Sequence, residues 1–324
     1  MKKIVNVGKK SYYQNWRKSM NKDYPKVSVI IPTYGGSDSL IRAVESVLAQ
    51  SYCSFDVIVV DDNNPNTRAR KQTELMMQRY TQDFRVIYIK HEHNKNGAAA
   101  RNTGAKFSES KYLCLLDDDD IFLTNRLLYQ VEFLENNPEY EACYCWRRQY
   151  GKEICGKESG DLSKSLLDLS FTPTTSAIMI SKKAYDTLNG FDESYKRHQD
   201  YEFLLRFFKK YQMGYVPFIL LEFLGNEVDN QVYGKALYNL KKTFFEQFGK
   251  EIDRIDVENP GFKKRTYAAH FASAVIQLIR KGNFILAIRM YFIYGTKGGM
   301  EFWSIFFKKT LSGLFRKFRL SNSM

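Results

Sequence analysis

From about residue 26 the chain alternates short apolar runs rich in Val and Ile with stretches whose apolar residues recur at helical spacing. Strands are predicted at 27–31, 56–60, 85–90 and 112–116, and helices between them at 38–50, 66–80 and 97–107. Strands that alternate with helices in this way form βαβ units, and the strands of such units are parallel. The sequence therefore predicts an α/β fold with a Rossmann-like, mostly parallel sheet flanked by helices.

The chain changes character after the fourth predicted strand. We predict a helix at 124–136, strands at 140–146 and 176–180, and a helix at 200–211, with a polar excursion at 147–165. Beyond about residue 229 the pattern is helical, with segments at 231–249, 264–281, 283–295 and 300–318. The predicted organisation is a basic extension at 1–25, an α/β domain at 26–225, a helical region at 226–300 and a basic amphipathic tail at 301–324.

Four adjacent acidic residues, Asp117–Asp120, follow directly on the fourth predicted strand. Adjacent carboxylates repel one another unless a cation neutralises them, and Mg²⁺ or Mn²⁺ binds carboxylate oxygens and substrate phosphates together. Open α/β sheets bind ligands at the carboxyl ends of their strands. The acidic run is therefore a candidate metal site, with a solvated acidic loop as the alternative, since most charge runs are solvated.

Other polar turns follow the remaining predicted strands and fall on the same edge of the sheet. They are Pro32–Gly36 after the first strand, Asp61–Pro65 after the second and Asn94–Gly104 after the third. Glycines allow a ligand to approach the backbone, and the flat ring of Tyr34 can stack on a base. Turns are normally rich in Gly, Asn, Asp and Pro, but two acidic turns and Arg101 at one edge favour a binding site.

The net charge of +13 is concentrated at the two ends of the chain. Residues 1–22 carry +7 and residues 301–324 carry +4, which leaves +2 for the body between them. Segment 301–318 places aromatic residues mostly on one helical side and cations mostly on the other. This pattern favours an interfacial helix on an anionic membrane surface, with packing of the helix on the α/β domain as the alternative. A nucleic-acid partner is disfavoured, because the predicted site is acidic.

Length and composition argue against several classes of protein. A chain of 324 residues with 44% apolar residues can bury a substantial core, so wholesale disorder is not expected. The sequence contains no run of 18 apolar residues, so no transmembrane helix is expected. The N-terminus lacks the apolar core of a signal peptide, so secretion is not expected. Five cysteines without zinc-type spacing indicate free thiols, so we expect a cytoplasmic protein.

Six short motifs occur in a fixed order between about residues 26 and 223. They are P-T-Y, V-V-D-D, N-x-x-G…A-R-N-x-G, L-L-D-x-D-D, G-F-D-E and Q-D-Y-E-F-L-L-R. In this order and spacing they resemble the family 2 glycosyltransferases, which have the GT-A fold. The resemblance implies that fold for the α/β domain, with the helical C-terminal region as an appendage.

The resemblance implies donor-binding roles for residues at three strand ends. Thr33 and Tyr34 are expected to line the nucleotide-base site, and Asp61 to accept a hydrogen bond from the uracil N3–H. Arg101 is expected to face the diphosphate of the donor. The chain has Asn63 where the family usually has a glycine, so details of the base site are expected to differ.

The acidic run matches the D-x-D motif of the same family. Asp117 and Asp119 are the two ends of the motif, which holds the metal–diphosphate complex. Asp118 lies between them on the donor side, and Asp120 follows as a further metal ligand. The implied cofactor is Mn²⁺ or Mg²⁺, which would neutralise the leaving diphosphate together with an arginine.

Asp200 matches the family's catalytic base, which removes the proton of the acceptor hydroxyl as that oxygen attacks the sugar. Its position at a predicted helix start has an ordinary alternative, since acidic residues there complement the helix dipole. His198 and Gln199 are expected to be neighbours of the acceptor site. His91 and His93 are expected to be surface loop residues without a function.

The resemblance implies a complete reaction. An inverting glycosyltransferase would move a single sugar from a UDP-sugar to a saccharide acceptor in cell-surface polysaccharide synthesis. The family often uses lipid-linked acceptors, so we expect a polyprenyl-diphosphate-linked saccharide and a peripheral position on the inner face of the membrane. A processive synthase is disfavoured, because the Q-x-x-R-W motif is absent. A nucleotidyltransferase is the alternative enzyme, although Pro32–Gly36 lacks the basic residue expected for it.

Overall fold

The computed structural model describes residues 25–172, 174–195, 197–224 and 233–321, with side chains described up to residue 310. The predicted extension at 1–25 lies outside these residues except for its last residue, as does the end of the predicted tail. The described strands are β1 Val27–Thr33, β2 Phe55–Asp61, β3 Val86–Lys90, β4 Tyr112–Leu115, β5 Ile121–Phe122, β6 Tyr140–Gln149, β7 Lys152–Ile154, β8 Ile178–Ser181 and β9 Gln212–Phe223.

Eleven α-helices lie within the described residues. They are α1 Ser39–Leu48, α2 Arg68–Met77, α3 Gly97–Phe107, α4 Arg126–Asn136, α5 Ser163–Leu167, α6 Lys182–Thr187, α7 Gln199–Phe208, α8 Gly234–Glu258, α9 Phe262–Arg280, α10 Phe284–Ile293 and α11 Gly299–Ser321. The first seven belong to the α/β domain and the last four form the helical region. The predicted helices are all present, with boundaries that differ by a few residues at most ends and by nine at the end of α8.

The described strands form one mixed sheet in the order β3-β2-β1-β4-β8-β6-β9-β5, with β7 paired to β6. The four strands β3, β2, β1 and β4 are parallel to one another, and β8 is antiparallel to both β4 and β6. Strand β9 is parallel to β6 and antiparallel to β5. The predicted α/β fold with a mostly parallel sheet is therefore confirmed.

The local sequence explains the elements that lead to the strand ends. Strand β2 is buried along its whole length, and β1 along all but one residue, because helices cover both faces of this part of the sheet. The side chain of Thr67 caps α2 by accepting a hydrogen bond from the Arg70 backbone N–H. The side chain of Asn96 caps α3 through the N–H groups of Ala98 and Ala99. These caps fix where each helix leaves the carboxyl edge of the sheet.

Three strands were not expected from the sequence. Strand β5 has two residues and β7 has three, which is too short for an alternating pattern to be visible. Strand β9 is long, but it contains Pro217 and has two register shifts beside Trp146 against β6. Its formation depends on pairing with β6 and β5, which are distant in sequence, so the local pattern was a poor guide.

The helical region packs around α9. Its buried residues include Phe262 and Phe271, and the Phe271 ring stacks on Tyr294 with centroids 4.6 Å apart. Phe244 and Phe248 of α8 pack toward the α/β domain, where they contact the start of α7. Among the described helices, none is long and apolar enough to cross a lipid bilayer.

The segment predicted as a separate tail begins as an integral part of the helical region. Helix α11 starts at Gly299, and Phe302 is almost completely buried. The Phe302 ring contacts Tyr291 of α10 at 5.1 Å, and the Lys309 ammonium donates to Ser273 Oγ of α9 at 2.6 Å. The predicted boundary at residue 300 thus falls inside helix α11, which packs on its neighbours at least as far as residue 310. The side chains beyond residue 310 lie outside the described set.

A pair of glycines tests the packing between α3 and the sheet. A Cβ on Gly104 would lie 2.5 Å from Ile30 Cγ2, whereas a Cβ on Gly249 of α8 would meet no atom within 4 Å. We expect Gly104→Ala to lower the free energy of unfolding by about 1–3 kcal/mol, because the core side chain must move. The control Gly249→Ala should raise it by roughly 0.5–1 kcal/mol through helix propensity. Chemical denaturation measures both, and equal effects of the two changes would contradict the packing described.

Candidate active site

Three polar turns meet at the carboxyl edge of the parallel strands. Thr33 is the last residue of β1 and Asp61 the last of β2, and the two are register partners. The acidic turn, defined as Asp117–Asp120, begins two residues after the end of β4, which pairs with the other side of β1. The sheet order thus brings these turns side by side, as the sequence predicted.

The first two carboxylates of the acidic turn are held by different neighbours. Asp117 Oδ1 accepts a hydrogen bond from Arg101 Nη2 at 2.6 Å, within an ion pair. Asp118 Oδ2 accepts from Thr33 Oγ1 at 2.5 Å, and the backbone N–H of Tyr34 also donates to Asp118. Predicted donor-binding residues from β1, α3 and the acidic turn are therefore in direct contact.

The last two carboxylates differ in their exposure. Asp119 is half-buried at the surface of the turn. Asp120 is fully buried, and its Oδ1 accepts a hydrogen bond from the backbone N–H of Leu224, just beyond β9. The Ser176 side chain also lies within hydrogen-bonding reach of the Asp120 carboxylate. Asp119 is therefore open to a ligand, whereas Asp120 ties the turn to the end of β9.

The acidic turn holds more negative charge than its surroundings neutralise. Burial, with repulsion from Asp117 and Asp119, raises the pKa of Asp118 to about 6 and that of Asp120 to about 7. Burial and the charge of Asp117 also raise the pKa of Asp119. Arg101 supplies a positive charge in direct contact with one of the four carboxylates, that of Asp117. This excess of negative charge is the electrostatic condition for binding a cation.

The residues of the acidic turn fit the predicted Mn²⁺ or Mg²⁺. Hard divalent cations take carboxylate oxygens, and Asp117 and Asp119 supply them at partly exposed positions. No group of three or more His, Cys, Asp or Glu side chains among the described residues is arranged as a metal cage. Mg²⁺ is usually bound by one or two carboxylates plus substrate phosphates, so a cage is not required. The assignment of Asp117, Asp119 and Asp120 as metal ligands stays a prediction.

Asp61 is fully buried, and its carboxylate is already held by neighbouring groups. Oδ2 accepts a hydrogen bond from the Tyr88 hydroxyl at 2.6 Å and lies 3.2 Å from Arg70 Nε. Oδ1 accepts from both the backbone N–H and the side-chain amide of Asn63. The predicted contact of Asp61 with uracil N3–H would require losing one of these bonds and exposing the carboxylate. In this arrangement Asp61 holds the turn after β2 in place, and its contact with uracil stays a prediction.

His91 connects the turn after β2 to α3, and its expected surface position is wrong. The His91 side chain is buried, with Nδ1 2.7 Å from Asp62 Oδ1 and Nε2 2.8 Å from Thr103 Oγ1. Asp62 also accepts a hydrogen bond from Asn94 Nδ2 at 2.8 Å. His93, by contrast, is exposed as predicted. The sequence pattern could not distinguish His91 from His93, because the burial of His91 depends on α3, which follows later in the chain.

Tyr34 is the exposed aromatic residue of the site. Its side chain is 63% exposed, so the ring is accessible for stacking on a flat ligand. The neighbouring Gly35 has a φ of +95°, and its N–H donates to Asn63 Oδ1 at 2.8 Å. Asn63, where the family usually has a glycine, therefore shapes the turn that presents Tyr34. Thr33, in contrast, is buried and bonded to the acidic turn.

The start of α7 brings Asp200 to the acidic turn. Burial raises the pKa of Asp200, the positive charge of Arg101 lowers it and the negative charge of Asp117 raises it, so the three groups interact electrostatically. A Cβ on Gly97 would lie 3.1 Å from Arg101 Nη1 and 3.8 Å from Gln199 Oε1, which places Gln199 beside Arg101. The structure thus brings together four of the residues predicted from separate motifs: Arg101, Asp117, Gln199 and Asp200.

His198 precedes α7 but interacts mainly with the helical region. It has a left-handed backbone conformation, with φ of 60°, and its Nδ1 lies 3.1 Å from Gln247 Oε1. Its ring packs against the edges of Tyr201 and Phe244, and burial lowers its pKa. The predicted role of His198 at the acceptor site stays a prediction, while its observed contacts join α7 to α8.

Asn102 fixes the loop that leads to α7, a role that the sequence did not reveal. Its Nδ2 donates to Phe191 O and to Glu193 Oε1, both at 2.9 Å, and its Oδ1 accepts from the Phe191 N–H at 2.9 Å. Gly190 has a φ of +66°, and a Cβ there would collide with Asn102 Oδ1. The A-R-N-x-G and G-F-D-E motifs are therefore two sides of one contact. The sequence showed both motifs, but the contact between them through Asn102 depends on the fold and could not be predicted from either motif.

Comparison with known proteins identifies relatives for the first part of the chain. Residues 28–181 match the family described as glycosyl transferase family 2. The amylovoran biosynthesis glycosyltransferase AmsB of Erwinia amylovora is 30% identical over 191 residues, which cover 55% of this chain and 62% of AmsB. The UDP-Glc:alpha-D-GlcNAc-diphosphoundecaprenol beta-1,3-glucosyltransferase WfgD of Escherichia coli is 31% identical over 111 residues, 34% of this chain and 42% of WfgD. The chain spans less than two thirds of the length of these curated relatives.

A solved structure shares the fold over most of the chain. The crystal structure of S. aureus TarS 1-349 in complex with UDP-GlcNAc has a TM-score of 0.59 and 15% sequence identity, covering 89% of this chain and 92% of that chain. At this identity the likeness concerns the fold, and it confirms the predicted GT-A fold. Coverage of this extent exceeds the α/β domain, so the overlap includes part of the helical region.

The raised pKa values of the acidic turn predict how its charge affects stability without added metal. Because the folded-state pKa of Asp120 lies above its unfolded value, the unfolded chain loses its proton first, and stability falls as pH rises from about 4 to 7. Asp120→Asn keeps the acceptor for Leu224 N–H and removes the charge. We expect it to gain stability relative to the unchanged protein by on the order of 2 kcal/mol between pH 5 and pH 8.

Thermal unfolding in EDTA at several pH values measures this difference. The control is Asp38→Asn, which changes an exposed aspartate outside the turn. A stability difference between the Asp120→Asn variant and the unchanged protein that is independent of pH would contradict the charge excess.

Proposed function

We propose that this chain, whose residues 28–181 match glycosyl transferase family 2, transfers one sugar from a UDP-sugar to a saccharide acceptor by an inverting, metal-dependent reaction. The observation that carries the proposal is the meeting of Arg101, Asp117 and Asp200 at one edge of the sheet. A cation, a carboxylate and a base are the groups that such a transfer needs at the donor diphosphate and the acceptor hydroxyl.

Asp200 is the proposed base. In the reaction, the acceptor oxygen forms a bond to C1 of the sugar while the bond from C1 to the UDP oxygen breaks. The acceptor proton passes to the Asp200 carboxylate, whose burial raises its pKa and makes it a better base than an exposed aspartate. The backbone N–H of Tyr201 donates to the same carboxylate and so orients it.

Arg101 is the proposed partner of the leaving diphosphate. Its Nη2 donates to Asp117, and its Nε is buried without a hydrogen-bond partner among the described residues. A guanidinium held in this way is oriented before the ligand arrives, so little reorganisation is needed as negative charge develops on the diphosphate. A Mn²⁺ or Mg²⁺ ion held by Asp117 and Asp119 would supply further charge neutralisation there.

The relatives support the choice of donor and acceptor. TarS is described in complex with UDP-GlcNAc, and the name of WfgD gives a UDP-sugar donor and a diphosphoundecaprenol-linked acceptor. AmsB is named for amylovoran biosynthesis. We extend these features to this chain as a UDP-sugar donor and a polyprenyl-diphosphate-linked saccharide acceptor in polysaccharide synthesis. The exposed ring of Tyr34 is the proposed stacking surface for the uracil.

A lipid-linked acceptor places the enzyme at a membrane. We propose a peripheral position on the inner, cytoplasmic face, where nucleotide sugars and anionic lipids meet. The basic ends of the chain support this placement, since juxtamembrane cations are attracted to anionic lipid surfaces. The acidic active-site edge and the absence of a basic groove there give no support for a nucleic-acid partner within the described residues.

Replacing the base separates chemistry from donor binding. We expect Asp200→Asn to lower kcat by about 10²–10⁴-fold, because general-base catalysis is lost. The affinity for the UDP-sugar should stay within a few-fold, since Asp200 faces the acceptor. Radiolabelled transfer and calorimetric donor titration measure the two quantities, with Asp186→Asn on exposed α6 as the control. A variant that loses donor binding in parallel with activity would contradict the assigned role.

Metal removal tests the role of the acidic turn. We expect EDTA to abolish transfer and Mn²⁺ or Mg²⁺ to restore it. In the same series, Mn²⁺ should raise the melting temperature of the unchanged protein in the presence of UDP. Asp119→Asn should raise the Mn²⁺ concentration needed for half of this thermal shift by about tenfold or more, because it removes a proposed metal ligand. Transfer that continues at full rate in EDTA would exclude the metal-dependent mechanism.

A further inference from the structure

Helices α10 and α11 present a continuous apolar surface. Phe284, Ile285, Ile288 and Phe292 of α10 are between 58% and 83% exposed, and their spacing places them on one side of the helix. The ring of Tyr291 lies 5.4 Å from Phe292 and 5.2 Å from Trp303, so it joins the two helices. The apolar face, as we call it, consists of Phe284, Ile285, Ile288, Phe292, Trp303 and Phe307.

A basic pocket lies between the start of α8, the end of α9 and α11. Its volume is about 460 Å³, and its lining includes Arg280, Lys281 and Lys309 together with Tyr233 and Ser273. No acidic side chain is among the described residues that line it. An open pocket with three cations and hydroxyl groups is suited to a phosphate group.

Two cations of the basic pocket contact neutral groups. Lys281 Nζ lies 4.6 Å above the ring of Tyr233, and Lys309 Nζ donates to Ser273 Oγ at 2.6 Å. Lys241, which is half-buried nearby, has its pKa lowered to about 8 by burial and by the positive charge of Lys309. Lys309 and Lys241 therefore interact as like charges, and an anion bound beside them would relieve that repulsion.

We propose that the apolar face lies on an anionic membrane and that the basic pocket holds the phosphate of one of its lipids. The pocket and the start of the apolar face are adjacent in the chain, because Lys281 precedes Phe284 by three residues. Arg280 and Lys281 therefore border the apolar surface where α10 begins. Apolar side chains flanked by lysine and arginine are the arrangement of an interfacial surface.

Charge complementarity favours an anionic membrane over a second copy of this chain as the partner of the apolar face. A second copy of this chain would bring its own cations against Lys281 and Arg280, which repel in a symmetric contact. An anionic lipid surface supplies both an apolar layer for Phe284 and Ile285 and phosphates for the adjacent pocket. The inference relies on the proposed function only for its setting, since a lipid-linked acceptor brings the enzyme to a membrane.

Vesicle binding tests the basic pocket directly. The full-length protein is sedimented with vesicles of equal parts phosphatidylglycerol and phosphatidylcholine, or of phosphatidylcholine alone. We expect stronger binding to the anionic vesicles. The double variant Arg280→Gln/Lys281→Gln should lower that partition coefficient by about 30-fold, which corresponds to ~1 kcal/mol for each cation. The control Lys71→Gln/Lys106→Gln removes two exposed cations of the α/β domain and should change it less than threefold.

A second pair of variants tests the apolar face. Ile285 and Val257 are both 83% exposed, but Val257 lies near the end of α8, outside the face. Ile285→Ser should lower vesicle binding by about tenfold, since an apolar side chain no longer enters the lipid, and Val257→Ser should leave it unchanged. Both positions are exposed, so neither change disturbs folding. Equal binding by these two variants would overturn the proposal, as would unchanged binding of the Arg280/Lys281 variant.

Tryptophan fluorescence distinguishes lipid from a protein partner. Phosphatidylglycerol vesicles with brominated acyl chains should quench emission from the unchanged protein, and Trp303→Phe should remove most of that quenching. Quenching that persists in full in the Trp303→Phe variant would contradict insertion of this face. UDP-sugar hydrolysis without vesicles is measured on every variant and should not change. Variants that lose vesicle binding but keep hydrolysis would support the membrane surface independently of the catalytic site. Absence of hydrolysis in the unchanged protein would contradict the proposed function and not this inference.

Discussion

The accumulation of negative charge at the end of β4 is the constraint on which the arrangement of the site depends. A buried strand delivers four carboxylates to one turn, and they cannot all face the same cavity without mutual repulsion. In the structure Asp117, Asp118 and Asp120 have different hydrogen-bond partners. Asp117 accepts from Arg101 of α3, Asp118 from Thr33 of β1, and Asp120 from the backbone N–H just beyond β9. Each contact joins a different element to the turn, so the same charge that suits a cation also fixes its surroundings.

Local pattern predicted the elements of the parallel half of the sheet, because each strand and helix there has a period that can be read from neighbouring residues. It also predicted that polar turns share one edge, since topology alone brings strand ends together. The local pattern could not predict which carboxylate in a turn is accessible to a ligand. Asp61 is covered by Tyr88 of β3 and Arg70 of α2, and this depends on how separate elements pack. Strand β9 was missed for the same reason, as its pairing is entirely non-local.

The helical region shows the limit of amphipathic pattern. Segment 301–318 has an evident apolar side, and the sequence therefore favoured it as the interfacial element. In the structure Phe302 from that side is buried against α10 and α9, so part of the apolar side contributes to the core. Helix α10 is apolar on nearly all sides, a composition normally expected in a buried helix. It nevertheless lies at the outside of the described bundle, where Ile285 is almost fully exposed.

Helix α8 connects the two sites physically. It begins beside Tyr233 at the basic pocket and passes Phe244 and Phe248, which pack on His198 and Tyr201 at the start of α7. Eleven residues separate Tyr233 from Phe244, which is roughly 17 Å along a helix axis at 1.5 Å per residue. A continuous packed helix therefore fixes how far the basic pocket lies from the start of α7.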